Sequence, residues 1–164
     1  MSIEAKADLS SAFDGLDKLG GVLKTHLARS MAVAGGQVVR DEAKTLAPVE
    51  SGRLKSAIYL AYRDGKSTDE RVVYSVTWNS KTAPHGHLLE FGHWQTHATY
   101  IGKDGNWHSG KPLAVPKWVP AHPFLRPALD ATRGTMVQAM IQRGRERLPE
   151  LLQEVSASAS SKST

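Results

Sequence analysis

Two neighbouring runs of alternating side chains, at 54–62 and 71–78, constrain the fold of this chain more than any other feature. In the second run every other residue is apolar, which is the period of a strand with one buried face. That face consists of Val72, Tyr74, Val76 and Trp78. The first run begins at Leu54 and is rich in aliphatic and aromatic residues, and the connection between the runs contains the turn dipeptide Asp64-Gly65. The two runs therefore predict an antiparallel hairpin.

Helical periodicity precedes this hairpin. A first apolar stripe, at spacings of three and four, is formed by Leu9, Phe13, Leu16 and Leu19. It ends at Gly20-Gly21, and a second helical segment runs from Leu23 to Ala47, because Pro48 disfavours helical geometry in the residue before it. Gly35-Gly36 inside that segment costs a helix about 2 kcal/mol relative to alanine. The glycine pair therefore indicates either a kink or a close helix crossing.

The chain after the hairpin combines two helical segments with a long connection. Residues 83–92 predict a short helix. Residues 93–119 are rich in glycine and proline and predict a long irregular loop, within which Asp104-Gly105 turns a small second hairpin. The last helix is predicted to open at Pro127, since proline is tolerated in the first turn, and to be interrupted at Pro149.

These elements predict an α+β fold, in which a small antiparallel sheet packs against a long N-terminal helix and a C-terminal helix. We expect a single domain over residues 1–155, followed by a serine-rich tail at 156–164 that is disordered in the free chain. The absence of cysteine excludes disulfides and thiolate metal sites. No run approaches the ~20 apolar residues of a membrane span, and no secretory signal begins the sequence, so we expect no membrane partner.

The basic balance of the chain, a net charge of +5, permits contact with nucleic acid, and a nucleic-acid-binding protein is one alternative function. The basic residues are dispersed, however. Their densest group lies on or beside the last helix and consists of Arg133, Arg143, Arg145 and Arg147. We interpret this group as a solvated helix face or as subunit contacts.

The histidines at 85, 87, 93 and 97 raise the possibility of a metal site. Their spacing matches no strong zinc signature, and two histidines separated by one residue converge only in a loop. Glu90 lies among them and, with a histidine, could perform general acid–base chemistry, which gives a small metal-dependent hydrolase as a second alternative. We instead interpret Glu90 as a carboxylate that caps a neighbouring helix or binds an arginine across an interface. Phosphate-loop and nucleophile-elbow motifs are absent, and we predict no catalytic residue, metal or cofactor.

Three of the four tryptophans, Trp94, Trp107 and Trp118, lie within the segment predicted to be irregular. Side chains of this size need apolar cover, either from the core of the domain or from a partner. Stacking on single-stranded nucleic acid is a third possibility, for which only Lys103, Lys111 and Lys117 are near. We treat the three tryptophans as a candidate interface.

Three segments in order resemble the neck and tail-completion (head–tail joining) proteins of siphophages and related prophages. The first is 47–58, from Ala47 to Ile58, which follows the long helix. The second is His87-Leu88-Leu89-Glu90-Phe91-Gly92, and the third, 120–129, runs from Pro120 to Leu129. The resemblance points to ten motif positions: Pro48, Gly52, Leu54, Glu90, Phe91, Gly92, Pro123, Phe124, Arg126 and Pro127. The sequence departs from the family pattern at His85-Gly86-His87 and at His93.

The resemblance implies a structural virion protein that forms a ring, usually sixfold, at the junction of head connector and tail. Its implied partners are further copies of itself, a head-closure or connector protein, and a tail terminator or tube protein. DNA would at most pass through the ring. Such a protein would be assembled in the host cytoplasm, end in the virion, and catalyse no reaction.

Overall fold

The computed structural model describes residues 3–4, 21–49, 52–68, 71–105 and 107–161. The described helices are α1 (Gly21–Leu46), α2 (Arg53–Ala57), α3 (Gly86–Phe91) and α4 (Leu125–Ser161). The described strands are β1 (Ile3–Glu4), β2 (Ile58–Tyr62), β3 (Tyr74–Trp78), β4 (His93–Ile101) and β5 (Trp107–Val119). The fold is α+β, as predicted. The apolar stripe predicted between Leu9 and Leu19 lies outside the described residues.

The predicted hairpin is present as strands β2 and β3 of an antiparallel sheet with the order β1-β3-β2. Its register places Ile58 opposite Trp78 and Leu60 opposite Val76, which confirms the predicted apolar face. The prediction that Leu54 starts the strand is wrong, because residues 53–57 form the short helix α2. This helix brings Leu54 and Ala57, three residues apart, to the core on one helical face, whereas a strand would point them to opposite sides.

The helix α1 lies between strand β2 and helix α4, and two adjacent glycines make both contacts close. A Cβ atom at Gly35 would lie 2.5 Å from Cγ of Met140 on α4, and one at Gly36 would lie 2.6 Å from Cδ1 of Leu60 on β2. α1 continues through both positions to Leu46. The glycine pair therefore marks a close crossing, which is one of the two outcomes that the sequence predicted.

The helix α4 packs along α1 and runs without interruption through Pro149, so the predicted break there is wrong. Leu151, two residues beyond, is buried in the main apolar cluster, and Leu148 packs against that cluster. Burial of such a side chain stabilises by roughly 1.5–3 kcal/mol, comparable to the roughly 3 kcal/mol that an internal proline costs. The helix extends to Ser161. It therefore enters the segment 156–164, for which composition predicts disorder in the free chain; residues 162–164 lie outside the described residues. None of the helices in the described ranges is long and apolar enough to cross a membrane.

The segment 93–119 is an ordered antiparallel ribbon of β4 and β5, which corrects the prediction of a long irregular loop. The predicted turn at Asp104-Gly105 is present, and Gly105 has the positive φ of +73° that favours glycine. The ribbon is much longer than the predicted second hairpin. Its register shifts between Gln95 and Thr99, and such irregularities accommodate Pro112 and Pro116, which cannot donate to a ladder.

Candidate interaction surface

The two ends of the ribbon leave the body of the protein at one place, which we call the stem and which comprises residues 89–92 and 118–126. The backbone N–H of His122 donates a hydrogen bond to the carbonyl oxygen of Leu89 at 2.7 Å. The stem therefore joins the second and third family-like motifs, which are far apart in sequence, directly below the ribbon.

Glu90 is the central side chain of the stem and is only 4% exposed. Its two carboxylate oxygens accept three backbone hydrogen bonds. The donors are the N–H groups of Phe124 at 2.9 Å, Leu125 at 3.1 Å and Arg126 at 3.4 Å. These are the first N–H groups of α4, which have no partner within the helix. The helix-capping interpretation of Glu90 is thereby confirmed.

Pro127 occupies the one position at the start of α4 whose N–H would otherwise lack an acceptor. The first four N–H groups of a helix lack intrahelical acceptors, and the fourth position here is a proline, which has no N–H. The next residue, Ala128, donates to the carbonyl of Phe124 at 3.4 Å and starts the helical ladder. The cap on Glu90 explains why α4 begins at Leu125, two residues before the predicted start at Pro127.

Phe91 and Gly92 complete the α3 side of the stem. The guanidinium of Arg126 lies 5.3 Å from the centre of the Phe91 ring, within the range of a cation–π contact. Gly92 has a φ of +71°, and a Cβ atom there would lie 2.8 Å from the carbonyl oxygen of Val119. Position 92 therefore requires glycine both for its backbone conformation and for the close approach of the returning chain.

The first motif lies outside the stem but contributes to the same core. Gly52, with a φ of +71°, opens α2, and Leu54 is buried in one apolar cluster with Phe124 and Leu125. Pro48 and Pro123 are exposed, each next to a helix end. The structure thus brings the described residues of the three motifs together at the core and the stem.

The ribbon carries the three tryptophans that the sequence singled out, and all are exposed. Trp94 is 63% exposed, Trp107 is 60% exposed and Trp118 is 47% exposed. Trp94 and Trp118 are opposite each other across the ribbon near the stem, with ring centres 5.4 Å apart in an edge-to-face arrangement. Trp107 lies at the tip opposite Ile101. Among the described residues, the main apolar cluster of the domain includes none of the three.

Sequence reasoning missed other apolar side chains on the ribbon. Tyr100, Ile101 and Val115 are all more than half exposed. The turn at 104–105 could have indicated these side chains from sequence. If the strand pairing on either side of this turn is extended past the prolines, it predicts a two-stranded ribbon with both faces in solvent. The glycine and proline content argued against that extension.

The charged side chains of the ribbon are mostly basic. Lys103, Lys111 and Lys117 make it locally basic, and the carboxylate of Asp104 pairs with Nε2 of His108 at 2.9 Å. In the part of the chain that the structure describes, no three histidine, aspartate or glutamate side chains converge to hold a metal ion. His93 is the first residue of β4, next to the stem, and its Nδ1 is buried without a hydrogen-bond partner among the described residues.

The arginines of α4 mostly contact groups of the same molecule. Arg133 pairs with Asp130 at 3.3 Å, and Nε of Arg143 donates to the hydroxyl of Ser30 on α1 at 2.9 Å. Arg147 contacts Glu150 at 2.7 Å, and this hydrogen bond lowers the pKa of the Glu150 carboxyl. These pairings agree with the interpretation of the arginine group as a solvated helix face.

One family model matches the chain, over residues 14–92, and its description is "Bacteriophage HK97-gp10, putative tail-component". The match contains the first two motifs and ends at Gly92, the residue before the ribbon; the ribbon and α4 lie beyond it. The chain has no significant match among curated proteins or among solved structures.

Proposed function

We propose that this chain is a structural protein that forms a ring at the head–tail junction of a tailed phage. The proposal is supported by the match of residues 14–92 to the HK97-gp10-like family of phage tail components. The ring would complete the tail or neck and join the connector to the tail. Its partners would be other copies of the chain, a head-closure or connector protein on one side, and a tail terminator or tube protein on the other. The protein would reside in the virion, and DNA would at most pass through the ring.

The exposed tryptophans of the ribbon are the observation that best supports assembly. Aromatic side chains at this exposure are costly in water and are enriched where proteins bind one another. The stem holds the ribbon on the body through a buried cap and a backbone hydrogen bond, so the tryptophans are presented on an ordered element. A surface presented in this way binds with a small ordering cost.

A structural role also agrees with the chemistry of Glu90, the residue on which the hydrolase alternative depends. Both of its oxygens accept hydrogen bonds from the start of α4, and the side chain is buried. A general acid or base must reach the proton of a substrate. Glu90 cannot do so without uncapping α4.

The mass of the assembled species tests this proposal. We expect native mass spectrometry of the purified chain, alone or mixed with the connector and tail-tube proteins of the same phage, to show a closed oligomer. A hexamer of this 17.8-kDa chain would have a mass of about 107 kDa. A strict monomer under both conditions would contradict the proposal.

A further inference from the structure

Strand β2 is at the edge of its sheet, and its outer backbone groups have no strand partner among the described residues. The N–H of Arg63 donates to the carbonyl of Val73 at 2.9 Å, and the N–H of Asn79 donates to the carbonyl of Ala57 at 3.0 Å. In an antiparallel ladder, alternate residues bond to the same neighbouring strand. The odd-numbered residues of β2 therefore bond to β3, and the N–H and C=O groups of 58, 60 and 62 point to the outer edge.

This edge lacks the features that usually prevent a strand from pairing with another chain. Natural edge strands are made very short, or carry lysine, proline or a bulge. The opposite edge of the sheet, β1, has only two residues. The sequence of β2, Ile58-Tyr59-Leu60-Ala61-Tyr62, has no charge and no proline, and its register with β3 has no irregularity. An unprotected edge of this kind is a template for an added strand.

The ribbon of the same chain contains a second unprotected edge. Strand β5 carries two prolines and two lysines, which obstruct pairing on its outer side. Strand β4 has no proline, lysine or arginine between His93 and Ile101. The two strands of the ribbon therefore differ, and β4 is the one suited to pair with a further strand.

We propose that β4 of one copy pairs with the outer edge of β2 in the next copy, so that each ribbon extends its neighbour's sheet. This inference rests on the proposed ring. The two surfaces are different, so the contact is head-to-tail, and a head-to-tail contact repeated around an axis closes into a ring. Pairing of one ribbon with another like it would instead stop at a dimer.

The exposed aromatic surface of the ribbon would supply more than half of what a specific contact needs. From the ~150–250 Å² that an aromatic side chain can bury, the exposed parts of the three tryptophans and Tyr100 amount to roughly 500 Å². Specific interfaces bury about 800 Å² on each partner. On β2, Tyr59 is 46% exposed and Tyr62 is 37% exposed, so aromatic groups flank the accepting edge as well, and cross-strand aromatic pairs stabilise sheets.

The comparison of Tyr62→Pro with Tyr62→Ala tests the accepting edge. Both variants remove the ring that contacts Tyr74 and Arg29, but only proline also removes the outward N–H and obstructs an added strand. We expect the oligomer of Tyr62→Pro to dissociate at a concentration about tenfold or more above that of Tyr62→Ala, because strand pairing is lost. Equal oligomer stability in the two variants would overturn the proposal.

Disulfide trapping tests the donating strand and does not depend on the stability of the proline variant. The chain has no cysteine of its own. Tyr59→Cys protein is mixed in turn with Ala98→Cys, Thr99→Cys or Tyr100→Cys protein, and we expect an interchain disulfide with at least one of them. Ser109→Cys, opposite Thr99 on β5, is the matched control. In the proposed sheet it lies about 10 Å from β2, beyond disulfide reach.

The two tests separate this inference from the ring proposal. A wild-type chain that forms no oligomer with or without its neck partners contradicts both. Rings that assemble normally in Tyr62→Pro, or that cross-link through Ser109→Cys and not through β4, contradict only the strand pairing.

Discussion

Glu90 joins two parts of the chain that lie 34 residues apart, and it does so with a single carboxylate. Glu90 lies on the short helix α3 and faces the start of α4. The first N–H groups of α4 have no acceptor within the helix, so they require acceptors from elsewhere. The carboxylate at position 90 therefore both caps α4 and connects α3 to it. A proline at position 127 removes the only remaining donor.

Replacement of Glu90 should therefore destabilise the fold strongly. Three N–H groups would lose their acceptor, two in a buried and one in a partly buried setting. Unsatisfied buried groups cost about 1–3 kcal/mol each, partly relieved by water. We expect Glu90→Ala to lower the free energy of unfolding by about 3 kcal/mol and the melting temperature by roughly 10 °C. Glu90→Gln keeps one acceptor oxygen, so its melting temperature should lie between those of the wild type and Glu90→Ala.

Thermal unfolding followed by circular dichroism measures this effect. Glu146→Gln, on the exposed side of α4, is the control and should leave the melting temperature nearly unchanged. If Glu90→Ala melted like the control, the cap would not contribute to stability as we infer.

At the scale of elements, the contact between α1 and α4 depends on small residues at the crossing. Gly35 receives the side chain of Met140, and Gly144 on the opposite helix receives that of Met31. Glycine lowers helix propensity by about 1 kcal/mol relative to alanine, so its presence in two long helices needs a compensating gain. The gain is close packing of methionine side chains against the facing backbone.

The Gly35→Ala variant should accordingly be destabilised, in spite of the better helix propensity of alanine. Its Cβ would lie 2.5 Å from Cγ of Met140, and overpacking of a core costs about 1–3 kcal/mol. Gly134→Ala is the matched control on α4, because Gly134 is exposed and no atom outside the neighbouring backbone of its own helix lies within 4 Å of the added Cβ. We expect that variant to gain up to about 1 kcal/mol. Urea unfolding distinguishes the two, and equal shifts of the same sign would contradict the close crossing.

Periodicity and helix-ending residues were sufficient to predict most elements of the body. The faces of β2 and β3, the end of α1 before Pro48 and the short α3 follow from local sequence. The ribbon and the passage of α4 through Pro149 do not. In both, long-range contacts outweigh the local preference of proline: strand pairing in the ribbon, and the burial of Leu151 in α4.

The same reasoning applies to the candidate site. The three tryptophans could be singled out from sequence because they lie in a segment predicted to be irregular, but the sequence left open whether the core or a partner covers them. The partners of Glu90 could not be singled out, because local sequence does not specify which helix start lies beside a buried carboxylate. The family resemblance supplied both halves of the stem as separate motifs, and the structure shows that they form one contact.

At the scale of the whole molecule, the ribbon adds little to the buried core of the body. Its strands pair with each other, its side chains are largely exposed, and the buried cluster of the body contains no ribbon residue among those described. The stem below it closes through Glu90 and through the hydrogen bond from His122 to Leu89. The fold of the body is therefore expected to be independent of the ribbon, whereas the proposed assembly needs the ribbon of one copy and the body of the next.

Shortening the ribbon should separate these two roles. His93 and Val119 are paired directly opposite each other at the stem, so Asn-Gly can replace residues 94–118 as a two-residue hairpin turn. We expect the shortened protein to keep its helical circular dichroism and a melting temperature within a few degrees of wild type, because no core contact is removed. Native mass spectrometry should then show a monomer where the full-length protein forms a ring. An unfolded product would show that the ribbon belongs to the folding unit, and an intact ring would show that copies associate through the body, since the surface that carries the tryptophans would be gone.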